Sequence, residues 1–249
     1  MNLNGKTALV TGSTSGIGLG IARVLAKAGA QLILNGFGDS ESAREEIAQL
    51  GKKPGYHDAD LRDVLQIEAM MRYAESQFGG VDILVNNAGI FWPKKLEHID
   101  DESFAKIINI NTRAVVYMCR EMIKRRHDRP GTIINISSIE AARGMTYDML
   151  LYGTSKAAVG AITRALVKDY AKKGWKINTI MPGGINTPGA TAMGITAIKH
   201  LDFSVFETAL KFSMRMPTKG IGKPDDIARA TCHHLGRHAG FLEAHGFFD

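Results

Sequence analysis

The chain alternates two kinds of segment. Short runs dense in β-branched and aliphatic residues, Thr7 to Thr11 and Gln31 to Leu34, are each followed by a longer stretch with apolar residues at helical spacing, Gly18 to Ala28 and Ser40 to Leu50. Further strand candidates are Pro54 to Asp58, Ile83 to Val85, Thr132 to Ile136 and Lys176 to Ile180, each bounded by loop signals or a helical pattern. Because these runs are short and apolar almost throughout, they predict interior strands of a parallel sheet covered by helices on both faces. The expected fold is α/β, a doubly wound parallel sheet. No repeat, low-complexity tract or Pro/Ser-rich linker interrupts the rhythm, so residues 1–249 are expected to form a single domain. The stretch Pro188 to Pro217, mixed in Gly, Met, Phe and polar residues, reads as a surface excursion or as a lid over a site.

Composition narrows the function classes. A chain of 249 residues that is 45% hydrophobic and 22% charged can bury its own core, which excludes a disordered chain. Its apolar runs, such as Leu32-Ile33-Leu34, fall far short of the about 20 residues that cross a bilayer, so no membrane partner is expected. The N-terminal Met1 to Lys6 lacks the apolar stretch of a secretory signal, and a cytoplasmic protein is expected. Cys119 and Cys232 both fall in helical patterns and are expected to be reduced thiols. A net charge of +6 would suit nucleic acid only if the basic residues shared an element with aromatic partners. The one dense group, Lys124-Arg125-Arg126-His127-Asp128-Arg129, sits where a helix should end, and cations there complement the helix dipole. No nucleic-acid partner is expected.

The first strand runs into Gly12-Ser13-Thr14-Ser15-Gly16-Ile17-Gly18 and then into a helix. Glycines there let the backbone turn tightly and approach a pyrophosphate, while the helix N-terminus supplies N–H donors and positive potential. Strand, glycine turn and helix in this order predict a Rossmann-like nucleotide site. A carboxylate at the end of the second strand would select NAD, but the position is Gly36, within Asn35-Gly36-Phe37-Gly38-Asp39. Asp39 and Arg44 are near enough in sequence to act in its place, so NAD and NADP both stay open, with a lean to NAD.

Tyr152 and Lys156, four residues apart in Tyr152-Gly-Thr-Ser-Lys156, should share one helix face. A phenol is a poor base at neutral pH, and a neighbouring ammonium is expected to lower its pKa. With the turn, this pair belongs to an ordered set: Thr11 to Gly18, Asp60-Leu61, Asn86-Asn87-Ala88-Gly89, Asn111, Ser138, Tyr152 with Lys156, and Pro182-Gly183 with Thr187. The set resembles the classical short-chain dehydrogenase/reductase family from Lys6 to about Ala230. That resemblance implies an enzyme moving a hydride between NAD or NADP and a secondary alcohol or ketone. Tyr152 would be the general acid/base, Lys156 would also bond the nicotinamide ribose, Ser138 would hold the substrate oxygen, and Asn111 would hold a water linked to Lys156. Ser137 and Asn109 stand beside Ser138 and Asn111 as alternatives. Cofactor contacts are implied for Gly12, Thr14, Ser15, Gly16, Ile17 and Gly18 in the turn and for Phe37, Asp60 and Leu61 around the adenosine. Asn87, Ala88 and Gly89, with Pro182, Gly183, Ile185 and Thr187, complete the set. A cofactor-binding protein without turnover, regulating or scaffolding on the same fold, is the other functional class.

The opening third, Thr11 to Gly20 and Asn35 to Asp39, further resembles bacterial D-3-hydroxybutyrate dehydrogenases, which would imply a small hydroxy acid. The expected pocket positions nevertheless read Phe91, Trp92, Glu140, Met145 and Tyr147, and Glu140 would repel a carboxylate. The substrate expected from these residues is a neutral or partly apolar alcohol or ketone. After Ala230 the family pattern stops, and residues 231–249 read as an atypical tail. Its Cys232, His233, His234 and His238 match no zinc spacing, so no metal is expected. The family assembles through this region and the helices around Asn111 and Tyr152, which implies a homo-oligomer, a homotetramer or dimer, weakened by the altered terminus.

Overall fold

The computed structural model describes residues 1–126, 129–144, 148–189, 191 and 221–235. Among these, six parallel strands form one sheet: β1 (Thr7–Val10), β2 (Gln31–Asn35), β3 (Gly55–His57), β4 (Ile83–Asn86), β5 (Thr132–Ile136) and β6 (Lys176–Ile180), in the order β3-β2-β1-β4-β5-β6. Seven α-helices accompany them: α1 (Gly16–Lys27), α2 (Ser40–Leu50), α3 (Val64–Phe78), α4 (Asp101–Ile108), α5 (Ala114–Arg126), α6 (Leu150–Tyr170) and α7 (Pro224–Leu235). The predicted strands fall within about two residues of the observed ones at each end.

The continuous apolar strands serve two cores because successive side chains point to opposite faces. Ala8, Val10, Leu32, Leu34, Val85 and Ile134 pack with Ile21 and Leu25 of α1, Ile47 of α2 and Ile227 of α7. Leu9, Ile33, Leu84, Ile133 and Ile177 pack on the other side with Ile67 and Met70 of α3, Met118 and Met122 of α5 and Val159 of α6. A polar residue anywhere along these strands would enter one core or the other. Asn86 and Asn135 do so only by bonding each other at 2.8 Å, with Asn135 passing on to Thr163 of α6 at 2.8 Å.

β1 pairs with β2 through Ala8 and Leu32 and with β4 through Ala8 and Ile83. The strand order reverses there, so a crevice opens beyond the carboxyl ends of β1 and β4, the place where open α/β sheets bind ligands. Between α4 and α5 the helix passes through a π-turn, Asn109–Arg113, whose extra residue redirects the side chains that follow. The stems of the 188–217 stretch meet: Ile185 pairs with Gly222, Asn186 N–H donates to the Gly222 carbonyl at 2.8 Å, and Gly222 N–H donates to the Gly184 carbonyl at 2.9 Å. Between them only residues 188, 189 and 191 are described, so the lid reading lies outside the described residues. Of the tail, residues 231–235 are the last turns of α7 and 236–249 lie outside the description. Among the described residues no helix is long and apolar enough to cross a membrane.

Candidate functional site

The glycine turn lies against the exit of β4. Thr11 Oγ1 accepts from the N–H groups of Asn87 and Ala88, both at 3.0 Å, and Asn87 Nδ2 donates to the carbonyls of Thr11 and Gly12 at 2.9 and 3.0 Å. Asn87 is therefore a strut of the turn. Gly12 and Gly16 adopt φ of 62° and 57°, the left-handed region that favours glycine. At Gly18 close approach decides, since a Cβ there would meet the Gly12 carbonyl oxygen at 2.2 Å. Thr14 Oγ1 donates to the Phe37 carbonyl at 2.6 Å, which ties the turn to the end of β2 and leaves the Phe37 ring exposed. Thr187 comes from beyond β6 to face Gly16, with its Cβ 3.6 Å from where a Gly16 Cβ would be. Ile139 N–H donates to the Pro182 carbonyl at 2.9 Å, fixing the segment that leads through Gly183 and Ile185.

Across the crevice, β5 ends at two serines that face different ways. Ser137 Oγ donates to the main-chain carbonyl of Lys156 at 2.7 Å, whereas Ser138 hydrogen-bonds the Tyr152 phenol. Of the two, Ser138 is the one beside the tyrosine. Lys156 is buried in α6, and its Nζ donates to the Ile136 carbonyl at 2.9 Å, 5.9 Å from the centre of the Tyr152 ring. Gly89 permits that position, for a Cβ there would lie 3.1 Å from Nζ. Desolvation brings the Lys156 ammonium down to about 8. The Tyr152 phenol moves the opposite way from the sequence expectation. Burial pushes it up, the Ser138 hydrogen bond pulls it down, and the negative charge of Glu140 adds to the rise. Helical spacing places Lys156 on the same face but does not aim its ammonium, which turns to β5.

Asn111 is fully buried in the π-turn, while Asn109 remains partly exposed. The Asn111 amide is committed: Oδ1 accepts from Ile90 N–H at 2.8 Å, and Nδ2 donates to the Ile90 carbonyl at 2.9 Å and to Ser155 Oγ at 3.0 Å. Ser155 Oγ in turn donates to the Tyr152 carbonyl at 2.7 Å. Thr112 Oγ1 donates to the Ser155 carbonyl at 3.1 Å. The π-turn thus frames the first turns of α6 through Ser155, a residue the sequence reading did not single out. Its place one turn from Tyr152 and beside Lys156 was the available signal. Asp60 is drawn into a bidentate pair with Arg62, at 2.6 Å on the shorter arm, which lowers its pKa, and Leu61 is buried. Phe91 stands edge-on to Tyr152 with ring centres 5.2 Å apart, and Glu140 lies in a 3-10 turn, Ile139–Ala141. Trp92 lies between Lys94 and Lys106, with its ring centre 5.4 and 4.8 Å from their ammonium nitrogens. Met145 and Tyr147 lie outside the described residues.

Residues 6–196 match the family described as short chain dehydrogenase. The chain belongs to that family. D-beta-hydroxybutyrate dehydrogenase of Cupriavidus necator is 44% identical over 189 residues, covering 75% of this chain and 73% of that one. Among solved structures, a variant of actinorhodin polyketide ketoreductase with NADPH superposes with a TM-score of 0.87 at 28% identity, covering 96% of this chain and 95% of that one. The 3-ketoacyl-(acyl-carrier-protein) reductase of Brucella melitensis, complexed with NADH, gives 0.81 at 29% identity, covering 98% of both chains. As a short-chain dehydrogenase, this protein is an oxidoreductase working between CH–OH and C=O. The resemblance to hydroxybutyrate dehydrogenases seen in its first third extends over three quarters of it. Cys119 and Cys232 are free thiols in α5 and α7, and among the described residues no cluster of His, Cys, Asp and Glu could hold a metal ion.

Proposed function

We propose that the protein moves a hydride between a nicotinamide cofactor and a secondary alcohol or ketone, with Tyr152 as the general acid/base. The observation that carries this reading is the meeting of Ser138, Tyr152 and buried Lys156 at the carboxyl edge of the sheet, across the crevice from the glycine turn. The turn fits a pyrophosphate. The N-cap Ser15 makes no side-chain cap and no acid occupies the first turn of α1, so the helix's own side chains leave its first amides and positive dipole end to a ligand. When bound, nicotinamide supplies or accepts the hydride. In reduction Tyr152 gives its proton to the carbonyl oxygen, and Ser138 donates a hydrogen bond to the same atom. Lys156 lends positive charge to the phenolate that remains and, as the family resemblance implies, would also bond the cofactor's ribose. In oxidation Tyr152 takes the carbinol proton, which requires the phenolate. Because the phenol is held up and the Lys156 charge that supports its anion is lost near pH 8, alcohol oxidation is expected to climb by up to about tenfold per pH unit from roughly pH 6 to 8 and to flatten above it, while ketone reduction does not climb. Steady-state rates in both directions across that range test this.

The β2 end supports NAD over NADP. Arg44 pairs with Glu41 at 2.8 Å, and Asp39, as N-cap of α2, holds a carboxylate whose bonds to Ser42 keep it ionised. A 2′-phosphate would meet that charge. NADPH is expected to bind at least about tenfold more weakly than NADH, a difference of about 1.4 kcal/mol, as fluorescence titration would show. The same titration on Gly18→Ala should show a Kd for NADH raised by about 30-fold, the equivalent of about 2 kcal/mol of overpacking in the turn.

For the substrate, Phe91 offers apolar surface beside Tyr152, with Trp92 next to it in the chain, and Glu140 disfavours a carboxylate. A neutral or partly apolar alcohol or ketone fits best, and a screen in which only small anionic hydroxy acids turned over would overturn this. Homo-oligomeric assembly is supported by a groove of about 440 Å³ between α5 and α6, lined by Val116, Ile123, Ile162 and Leu166 with Arg120 and Lys124 at its rim. Size-exclusion chromatography should show a dimer or tetramer.

A further inference from the structure

The loop between β4 and α4 carries Phe91 to its place on Tyr152. Phe91 is 45% exposed, so burial alone does not hold it there. Three residues on, Lys94 is gripped from two sides. Its N–H donates to the Asp148 carbonyl at 2.8 Å. Asp148 lies just ahead of α6 and adopts φ of 59°, making it the one non-glycine residue in the left-handed region among the described residues. The Lys94 side chain, 19% exposed, reaches the other way, with Nζ donating to Asp100 Oδ2 at 2.6 Å and to Ser103 Oγ at 3.2 Å. Those two residues already cap α4 without it, through a reciprocal pair in which Asp100 accepts from Ser103 N–H and Ser103 accepts from Asp100 N–H. The helix therefore does not need the lysine. An ammonium has three donors, and the Trp92 ring lies within cation–π distance of this one at 5.4 Å. Lys94 thus ties together the loop, the start of α4 and the segment that leads into Tyr152.

We infer that Lys94 is a positioning residue, a clasp whose ammonium locks the β4–α4 loop to the start of α4, beside the backbone bond that joins the loop to the segment ahead of α6, and so fixes Phe91 as a wall of the substrate site. This rests on the reading of Tyr152 as the acid/base and of Phe91 as a substrate contact. The clasp holds across working pH because the hydrogen bond from Lys94, with those from Ser103, keeps the Asp100 carboxyl well below the usual carboxylate range. An aromatic wall that is no longer held weakens substrate binding while leaving the proton-transfer groups intact.

The test is Lys94→Met in the full chain, with ketone reduction, NADH titration and iodide quenching of tryptophan emission. KM for the ketone is expected to rise about tenfold with kcat within about threefold, the pattern of lost uniform binding. The Kd for NADH should stay unchanged. Quenching should increase through Trp92, since the other tryptophan, Trp175, is buried in the core. Lys94→Arg, which keeps the charge and its donors, should bring KM back near the wild-type value. Should Lys94→Met fold poorly, Asp100→Asn preserves the cap and removes the ion pair, and it should raise KM in the same direction. Unchanged KM and unchanged quenching in the folded variants would overturn the clasp. Tyr152→Phe run alongside separates the two ideas: retained turnover there removes the acid/base reading, whereas lost turnover with a normal KM in Lys94→Met removes only the clasp.

Discussion

Tyr152→Phe is expected to lower kcat by about 10³-fold, within the range that positioned proton transfer contributes, while the Kd for NADH stays within about twofold. Phenylalanine keeps the ring and therefore the edge-on contact with Phe91. It removes only the hydroxyl that bonds Ser138. With that hydroxyl gone, no group of matched acidity remains beside the substrate oxygen. Ser138 can still orient the oxygen, but a serine hydroxyl is too weak an acid to supply the proton. Lys156 cannot take over, because its ammonium is turned to the Ile136 carbonyl on β5. Single-turnover reduction followed by NADH fluorescence separates the chemical step from binding. A variant retaining more than about a tenth of the wild-type kcat would move the acid/base role to another residue.

The parts of this site that the sequence made legible are those where a residue type is forced by local geometry. Gly12, Gly16 and Gly18 announce the turn because glycine adopts those φ values without steric cost and, at Gly18, leaves room for that approach to the backbone. The strands announce themselves because both faces of a parallel sheet are buried, so Leu9 and Val10 must both be apolar although they serve different cores. Tyr152 and Lys156 share a face because helical spacing requires it. What stayed hidden depends on contacts between residues distant in sequence. The direction of the Lys156 ammonium is set by a carbonyl on β5, so the sign of the Tyr152 shift could not be read from a spacing of four. Asn111 turns inward because the π-turn inserts a residue, which no periodicity reports. Asp60, expected near adenine, spends its carboxylate on Arg62 two positions away, a local pairing that the resemblance did not reveal. Beside the clasp, Lys94 joins the β4–α4 loop to Asp148 through a backbone bond that leaves no mark on side-chain pattern.

Lys156→Met is expected to abolish most of the activity and yet raise Tm at neutral pH. The ammonium is fully enclosed, and desolvation lowers its pKa from 10.5 to about 8. An unfolded chain keeps this proton up to an ordinary lysine pKa, whereas the folded protein releases it near 8, so the folded state binds fewer protons in between. The sign follows. Below about pH 8 the folded state bears the full cost of the buried charge, on the order of 3 kcal/mol. That cost shrinks as pH rises towards roughly 10.4 and is absent above it. Methionine removes the charge and keeps much of the apolar stem, but it leaves the Ile136 carbonyl without its donor, which costs about 1–3 kcal/mol. The net gain at pH 7 is about 1 kcal/mol, or roughly 2–4 °C in Tm for a domain of this size. At about pH 10 the gain should vanish or reverse, because the wild-type lysine is then largely neutral when folded. Calorimetry at the two pH values, beside turnover assays, reads the opposing effects. A lysine present only to satisfy the Ile136 carbonyl would destabilise the protein when removed at either pH, so a lower Tm for Lys156→Met at pH 7 would mean that the buried charge is held for the fold and not for the chemistry.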